Sequence, residues 1–289
     1  MHVKKWTMAT AKTYSFELIG ADGLPLRGQI RATAQDTTRP AVVICHGFKG
    51  FMNWGFFPHL AERCARAGFT AVSFNFSGSG VGPDGESFSE PERFGHATHT
   101  GDMTDIEIVV GALRRGELRG LQPPNRVGLF GHSRGGGAAI LFAASHPLDA
   151  LVTWNAISTI DRWPLEVMKS WRGSGEIEVV NARTGQILPL YRELLEEIEQ
   201  RSGDDLNILA AAASISAPWL ILHGDEDEAV SVADGIKLHH AASEAGKAKL
   251  RVVDGGSHTF GAKHPWAGST PELDTAFEES VTWFARHLV

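Results

Sequence analysis

The sequence of 289 residues predicts an α/β fold with a mostly parallel, doubly wound sheet, an N-terminal antiparallel hairpin and an inserted cap. Three observations lead to this prediction. Short β-rich runs alternate with longer runs of helical periodicity, the central β-rich runs are apolar on both faces, and two alternating segments joined by a turn open the chain. Runs apolar on both faces are expected for parallel strands covered by helices on each side.

The predicted strands and helices, taken in the order of the chain, support this fold. Residues 13–19 and 26–33 alternate apolar and polar side chains around the turn ADGLP and are predicted to form the hairpin. The β-rich runs of the parallel part are residues 41–47, 69–76, 126–133, 150–158, 218–225 and 249–255. Apolar stripes at three- and four-residue spacing predict helices within residues 57–65, 102–115 and 273–288.

One segment breaks the alternation between strands and helices. About sixty residues separate the strand ending near Ser158 from the strand starting near Pro218, which is too long for a simple crossover. Two strand-like runs flank the turn sequence NARTG, and an acidic amphipathic helix, YRELLEEIEQR, follows them. We therefore predict a core of residues 1–158 and 206–289 with a cap at residues 159–205. A decorative insertion is the alternative.

Composition and charge narrow the class of protein. With 43% hydrophobic and 21% charged residues, extensive disorder is excluded. A formal charge of −7 without a basic block argues against nucleic acid and anionic membrane as partners. We find no apolar stretch of a signal peptide or membrane span, and Cys45 and Cys64 are interpreted as small buried hydrophobes. We expect a cytoplasmic enzyme that is a monomer or homodimer.

The most specific motif is GHSRG at residues 131–135, between a predicted strand and a predicted helix. Gly-x-Ser-x-Gly in this context is typical of a nucleophile elbow, a tight turn that holds the serine hydroxyl above the sheet. Side chains at the two glycine positions would collide with neighbouring backbone, and the helix N-terminus favours negative charge. Ser133 is therefore the candidate nucleophile, with an ordinary Gly-rich turn as the alternative.

A serine nucleophile needs a base, and the base needs an orienting acid. Among 13 histidines, His258 follows the last predicted strand in a Gly-rich loop that can turn its imidazole toward Ser133. The acid candidates follow the strand at residues 218–225 and are Asp225, Glu226, Asp227 and Glu228. We favour Asp227, because it lies where the chain leaves the strand, whereas Asp225 is closer to the strand and better suited to a structural role.

Four motifs occur in one order: HGF at 46–48, GHSRG at 131–135, HGDED at 223–227 and GGSHTF at 255–260. Together with the order of strands and helices, they resemble the α/β-hydrolase family over nearly the whole chain. Within that family the sequence is most similar to serine esterases of the dienelactone hydrolase and acyl-peptidase-like branch, including feruloyl and cinnamoyl esterases. The resemblance implies that Ser133 is the nucleophile, His258 the base and then acid, and Asp227 the orienting acid.

The resemblance also implies an oxyanion hole made of the backbone N–H groups of Phe48 and Arg134, each worth about 3 kcal/mol. Dienelactone hydrolase carries Cys at the elbow, so Ser133 points instead to ordinary esters. Haloalkane dehalogenases and epoxide hydrolases carry Asp there, which disfavours both chemistries. The Arg134 side chain either recognises an anionic substrate group or pairs with a nearby acid such as Asp102.

We therefore expect a serine carboxylic ester hydrolase that acts on a small-molecule ester through an acyl-enzyme on Ser133. No metal or organic cofactor is expected, because the sequence has neither a phosphate-loop nor a zinc-binding pattern. Aromatic residues expected to line an acyl pocket, with core filling as the alternative, are Phe51, Trp54, Phe56, Trp163 and Trp171.

Other functions remain open on the same residues. They are a small acyl-peptidase-like enzyme, a carbon–carbon hydrolase, a cofactor-free haloperoxidase, or a non-catalytic ligand-binding protein.

Overall fold

The computed structural model describes residues 11–33, 38–118, 121–181, 185–242 and 246–289. Its strands are β1 Lys12–Ile19, β2 Pro25–Ala32, β3 Ala41–Cys45, β4 Thr70–Asn75, β5 Val127–His132, β6 Ala150–Trp154, β7 Glu176–Val180, β8 Ile187–Tyr191, β9 Trp219–Gly224 and β10 Ala248–Val253. Its helices are α1 Phe57–Arg66, α2 Pro91–Gly95, α3 His99–Arg114, α4 Arg134–Ser145, α5 Leu165–Ser174, α6 Arg192–Arg201, α7 Ile208–Ser214, α8 Val232–Ala241 and α9 Pro271–Leu288.

The main sheet has the strand order β1-β2-β4-β3-β5-β6-β9-β10. The β1–β2 and β2–β4 pairs are antiparallel, and every pair from β4 to β10 is parallel. From β3 the chain first winds outward to β4 and then returns to place β5 on the other side of β3. The carboxyl ends of β3 and β5 therefore flank a topological switch point, where ligands of such sheets bind.

Helices cover the central strands on both faces. Every residue of β3, β5, β6 and β9 is buried. Helices α1 and α9 pack together as one group, and α3, α4, α7 and α8 pack side by side as the other. The predicted doubly wound sheet and the N-terminal hairpin are confirmed. None of the helices in the described ranges is long and apolar enough to cross a membrane.

The short helices α2, α5 and α7 are absent from the sequence prediction. Helices α2 and α7 span only five and seven residues, which is too short for an apolar stripe to repeat. Helix α5 buries only Met168 and Trp171, so its pattern is weak as well.

The segment at residues 159–205 contains α5, β7, β8 and α6. Strands β7 and β8 pair antiparallel as a sheet of their own, separate from the main sheet. The predicted turn at 181–185 lies in part outside the described residues. Glu197 of α6 accepts hydrogen bonds from the N–H groups of His99 (2.6 Å) and Thr100 (2.9 Å), which ties this segment to the start of α3. Its role as a cap stays a prediction.

Candidate active site

Ser133 occupies a strained turn between β5 and α4. Its backbone angles, φ 57° and ψ −122°, lie in a region that favours glycine. The flanking glycines are required by close approach of backbone. A Cβ on Gly131 would lie 2.4 Å from the carbonyl oxygen of Gly135, and one on Gly135 would lie 2.1 Å from that of His46. The local geometry is therefore that of the predicted elbow, with the serine at its apex.

Two further predicted residues meet Ser133 at the carboxyl edge of the sheet. The Ser133 hydroxyl Oγ lies 3.1 Å from Nε2 of His258, which follows β10. Nδ1 of His258 lies 2.7 Å from Oδ2 of Asp227, which follows β9. Of the other acid candidates, Asp225, Glu226 and Glu228 are exposed to solvent. The structure thus brings together the three side chains that the sequence singled out.

The Asp227 carboxylate determines which ring nitrogen of His258 faces it with a proton. Burial alone would raise the pKa of Asp227, but the hydrogen bond and charge of His258, with the N–H groups of Val230 and Ala229, lower the pKa below its usual value. Both N–H groups donate to Oδ1 at 2.8 Å. An ionised carboxylate only accepts hydrogen bonds, so Nδ1 of His258 carries the proton. Nε2 of the neutral ring is then free to accept the Ser133 proton.

Asn155 positions the loop that carries His258. Its buried side chain donates from Nδ2 to the carbonyl oxygens of His258 (2.8 Å) and Ser257 (3.4 Å), and its Oδ1 accepts the N–H of Gly224 (2.8 Å). His132 donates from Nε2 to the same His258 carbonyl at 2.8 Å. The sequence analysis missed Asn155. The available signal was a polar residue directly after the apolar run of β6.

The chain segment after β3 passes beside the nucleophile. A Cβ on Gly47 would lie 2.9 Å from Cβ of Ser133, which places the backbone before Phe48 next to the elbow. Arg134 is the first residue of α4, so its N–H has no partner within the helix. Phe48 and Arg134 line one cleft together with Ser133. Both residues expected to supply oxyanion donors therefore border the cleft at Ser133, and the oxyanion hole itself stays a prediction.

Comparison with a sequence profile shows the family of this chain. Residues 42–269 match the sequence profile of the alpha/beta hydrolase family. The chain belongs to the alpha/beta hydrolase family. This membership confirms the predicted α/β-hydrolase fold. The comparison with curated proteins found no match.

Solved structures of similar fold include two esterases and an acylaminoacyl peptidase, which are the classes of enzyme that the sequence resembles. Est1E from Butyrivibrio proteoclasticus with ferulic acid bound has 20% identity and a TM-score of 0.69 over 94% of this chain and 98% of that chain. The esterase domain of a Rhodothermus marinus protein has 18% identity and a TM-score of 0.66 over 96% and 100%. Pyrococcus horikoshii acylaminoacyl peptidase has 20% identity and a TM-score of 0.68 over 96% and 42%. At these identities the similarity shows the fold alone.

The cleft beside the candidate nucleophile has a volume of about 380 Å³ and contains Ser133 and His258 in its wall. Apolar side chains form one part of that wall: Phe48, Ile157, Ile160, Trp163 and Val230. The loops after β3, β6 and β9 supply these residues, as expected for a site at the carboxyl ends of parallel strands. The cleft thus offers an apolar surface directly beside the nucleophile.

The aromatic residues predicted to bind substrate divide into two groups. Trp163 lines the cleft, and Trp54 lines a small neighbouring cavity with Ser133 and His258. Phe51, Phe56 and Trp171 line neither of these cavities and belong to the hydrophobic core, which also includes Trp54. Trp171 is fully buried behind Trp163, with the ring centroids 5.4 Å apart, and Phe51 packs edge-on against Phe88 and His264. The core alternative applies to these three.

The Arg134 side chain pairs with Asp102, which was one of its two expected roles. Nε of Arg134 donates to Oδ2 of Asp102 at 2.7 Å, and the guanidinium lies 5.6 Å from the ring centre of Phe48. Burial raises the pKa of Asp102 to about 6, and the charge of Arg134 opposes that rise. The pair is nearly buried, so its position beside the elbow is fixed.

Proposed function

We propose that this protein is a serine hydrolase that cleaves carboxylic esters through an acyl-enzyme on Ser133. One observation carries the proposal. Oγ of Ser133 lies 3.1 Å from Nε2 of His258, whose Nδ1 lies 2.7 Å from Asp227, at the wall of an open cleft. A base within hydrogen-bond reach of a hydroxyl, itself oriented by a carboxylate, is the arrangement that activates a serine.

In the first half-reaction, Oγ of Ser133 attacks the ester carbonyl carbon while Nε2 of His258 takes the hydroxyl proton. The carbonyl π electrons move to oxygen, and the N–H groups of Phe48 and Arg134 stabilise the resulting oxyanion by about 3 kcal/mol each. Asp227 stabilises the imidazolium. When the tetrahedral intermediate collapses, the C–O bond to the alcohol breaks and His258 gives its proton to the departing oxygen.

In the second half-reaction, His258 takes a proton from water as the water oxygen attacks the acyl carbon. Collapse of the second intermediate breaks the bond to Oγ, and the proton on His258 returns to Ser133. The products are one alcohol and one carboxylic acid. Every proton passes through Nε2 of His258, while Asp227 stays ionised throughout.

The apolar wall of the cleft favours an apolar or aromatic acyl group. Its members include Phe48, Ile160 and Trp163. The similarly folded Est1E has been solved with ferulic acid bound, which is consistent with this choice. We therefore propose turnover of p-nitrophenyl esters of short acids and of hydroxycinnamate esters.

A fluorophosphonate probe tests the proposal on the full chain. We expect stoichiometric labelling at Ser133 and loss of labelling in Ser133→Ala. Ser79→Ala is a matched control, because both serines are 9% exposed, and it should keep the label. A wild-type protein that takes no label and hydrolyses none of the esters would instead favour a non-catalytic binding protein.

A further inference from the structure

One part of the cleft wall is rich in hydrogen-bond donors. It consists of Lys49, His99, Arg134 and Arg162, and we call these four residues the donor wall. Among the described residues that line this cleft, none is an aspartate or glutamate. The donor wall shares the cleft with Ser133, so a substrate in position for attack lies beside it. The mechanism above uses only the backbone of Arg134 and none of the other three.

The Arg134 side chain has a donor that the protein does not satisfy. The residue is 9% exposed, its Nε is bonded to Asp102, and its Nη2 is buried without a hydrogen-bond partner in the described structure. Buried donors are nearly always paired in folded proteins, and a charged one left unpaired is costly. Because Nη2 is enclosed by protein, an acceptor on a ligand reaches it only when the guanidinium turns toward the cleft that Arg134 lines.

His99 provides a second unsatisfied group in the same wall. It is 5% exposed, and Nδ1 of its ring is buried without a hydrogen-bond partner. Burial, and secondarily the charge of Arg134, lower the pKa of His99 well below its usual value, so the ring is neutral with one N–H donor. Its backbone N–H is held by Glu197, which fixes the residue at the start of α3.

Two carboxylates outside the cleft lining partly balance the charges of the donor wall. Arg134 pairs with Asp102, and Nη1 of Arg162 lies 3.7 Å from Oδ2 of Asp234. Nζ of Lys49 donates to the neutral carbonyl oxygen of Val180 at 2.9 Å. The excess of positive charge is therefore small, which suits a singly charged anion better than a dianion such as a phosphate monoester.

We propose that the donor wall is a subsite for a carboxylate carried by the ester substrate. In the bound state Arg134 and His99 turn their buried donors toward its oxygens, and Lys49 and Arg162 add positive potential. The inference rests on the proposed ester hydrolysis and names its substrate class: esters in which one half bears a carboxylate and the rest is apolar. The apolar wall beside Ser133 receives that apolar part.

Two matched pairs of substrates test the subsite on the wild-type protein. The first pair is mono-4-nitrophenyl adipate and its methyl ester, which differ in a carboxylate on the acyl half. The second is 4-acetoxybenzoate and its methyl ester, which differ on the alcohol half. We expect kcat/KM for the anion to exceed that for its methyl ester by about tenfold in at least one pair, and that pair identifies the half that the subsite binds.

Variants test which residues cause the preference for the anionic ester. Arg162→Gln and His99→Phe should each reduce the preference for the anionic ester several-fold, whereas Arg63→Gln, an exposed residue paired with Asp274, should not change it. Fluorophosphonate labelling shows that each variant is folded and active at Ser133. If His99→Phe does not fold, Arg162→Gln and the substrate pairs still decide the question.

The outcomes separate this inference from the proposed function. Equal or faster hydrolysis of the methyl ester in both pairs overturns the carboxylate subsite and leaves ester hydrolysis in place. An anionic preference that survives both variants also overturns it. Absence of hydrolysis of all four esters, without labelling of Ser133, overturns the proposed function itself.

Discussion

Replacing Asn155 by Asp tests whether this residue positions His258 for catalysis. The change keeps the size of the side chain and its acceptor toward the N–H of Gly224. Aspartate, like asparagine, also tolerates the observed φ of 47°. It replaces the amide donor by an oxygen that, when ionised, faces the His258 carbonyl oxygen 2.8 Å away. Two acceptors at that distance repel, so the loop must move or the carboxyl must take up a proton.

The expected magnitude follows from burial and geometry. Asn155 is fully buried, and loss of its donor leaves the carbonyl oxygen of His258 with only the bond from His132, a change worth about 1–3 kcal/mol. Burial raises the folded-state pKa of the introduced carboxyl above its unfolded value of about 3.9. The loss of stability is therefore small below pH ~4 and grows as pH rises toward the raised folded-state pKa. A shift of His258 by about 1 Å lowers kcat about 100-fold.

The assay measures kcat and KM for a neutral p-nitrophenyl ester, together with urea unfolding at several pH values. We expect kcat to fall about 100-fold while KM changes less than about threefold. Asn75→Asp is the matched control, because Asn75 is also buried and joins the backbone of Met52 and Gly85. Wild-type kcat in Asn155→Asp at a pH where the urea data show the new carboxyl to be ionised, or an equal loss in Asn75→Asp, would refute the positioning role.

Three further predictions concern the acid and the anchoring of α6. Asp227→Asn should lower kcat by several orders of magnitude, whereas Asp225→Asn, at an exposed position, should leave it unchanged; the reverse result would reassign the acid. Because the folded-state pKa of Asp227 is lowered, its carboxylate stabilises the fold above pH ~4 and this stabilisation is lost as pH falls through that pKa. Urea unfolding should therefore separate wild type from Asp227→Asn less at pH 3 than at pH 7. Glu197→Gln should lower the free energy of unfolding by about 1–3 kcal/mol, because an amide cannot satisfy both N–H groups that this carboxylate accepts; an unchanged unfolding midpoint would contradict the contact.

The parallel sheet was predictable because its strands and turns depend on residues that are neighbours in the sequence. Strands covered on both faces need continuous apolar runs, and the turns between them need glycine, so the boundaries of β3, β5 and β9 could be read from the sequence to within a few residues. The predicted meeting of Ser133 and His258 followed because each comes directly after a parallel strand, and the carboxyl ends of such strands share one edge.

The remaining features depend on contacts between distant segments. Asn155 acts on the backbone of two other loops, and nothing in its own neighbourhood indicates which groups its amide will bond. Trp163 and Trp171 are both aromatic residues of one segment, yet one lines the cleft and the other is fully buried. Which way each ring points is decided by packing between the 159–205 segment and the sheet, and local periodicity carries no information about it.

The order of the strands places the members of the proposed triad at different stages of synthesis. Ser133 follows β5, whereas Asp227 and His258 follow β9 and β10, which are synthesised later. A chain synthesised only as far as β6 has the elbow residues but neither of their partners. Under the proposed mechanism, product formed during synthesis therefore reports that β9 and β10 have joined the sheet.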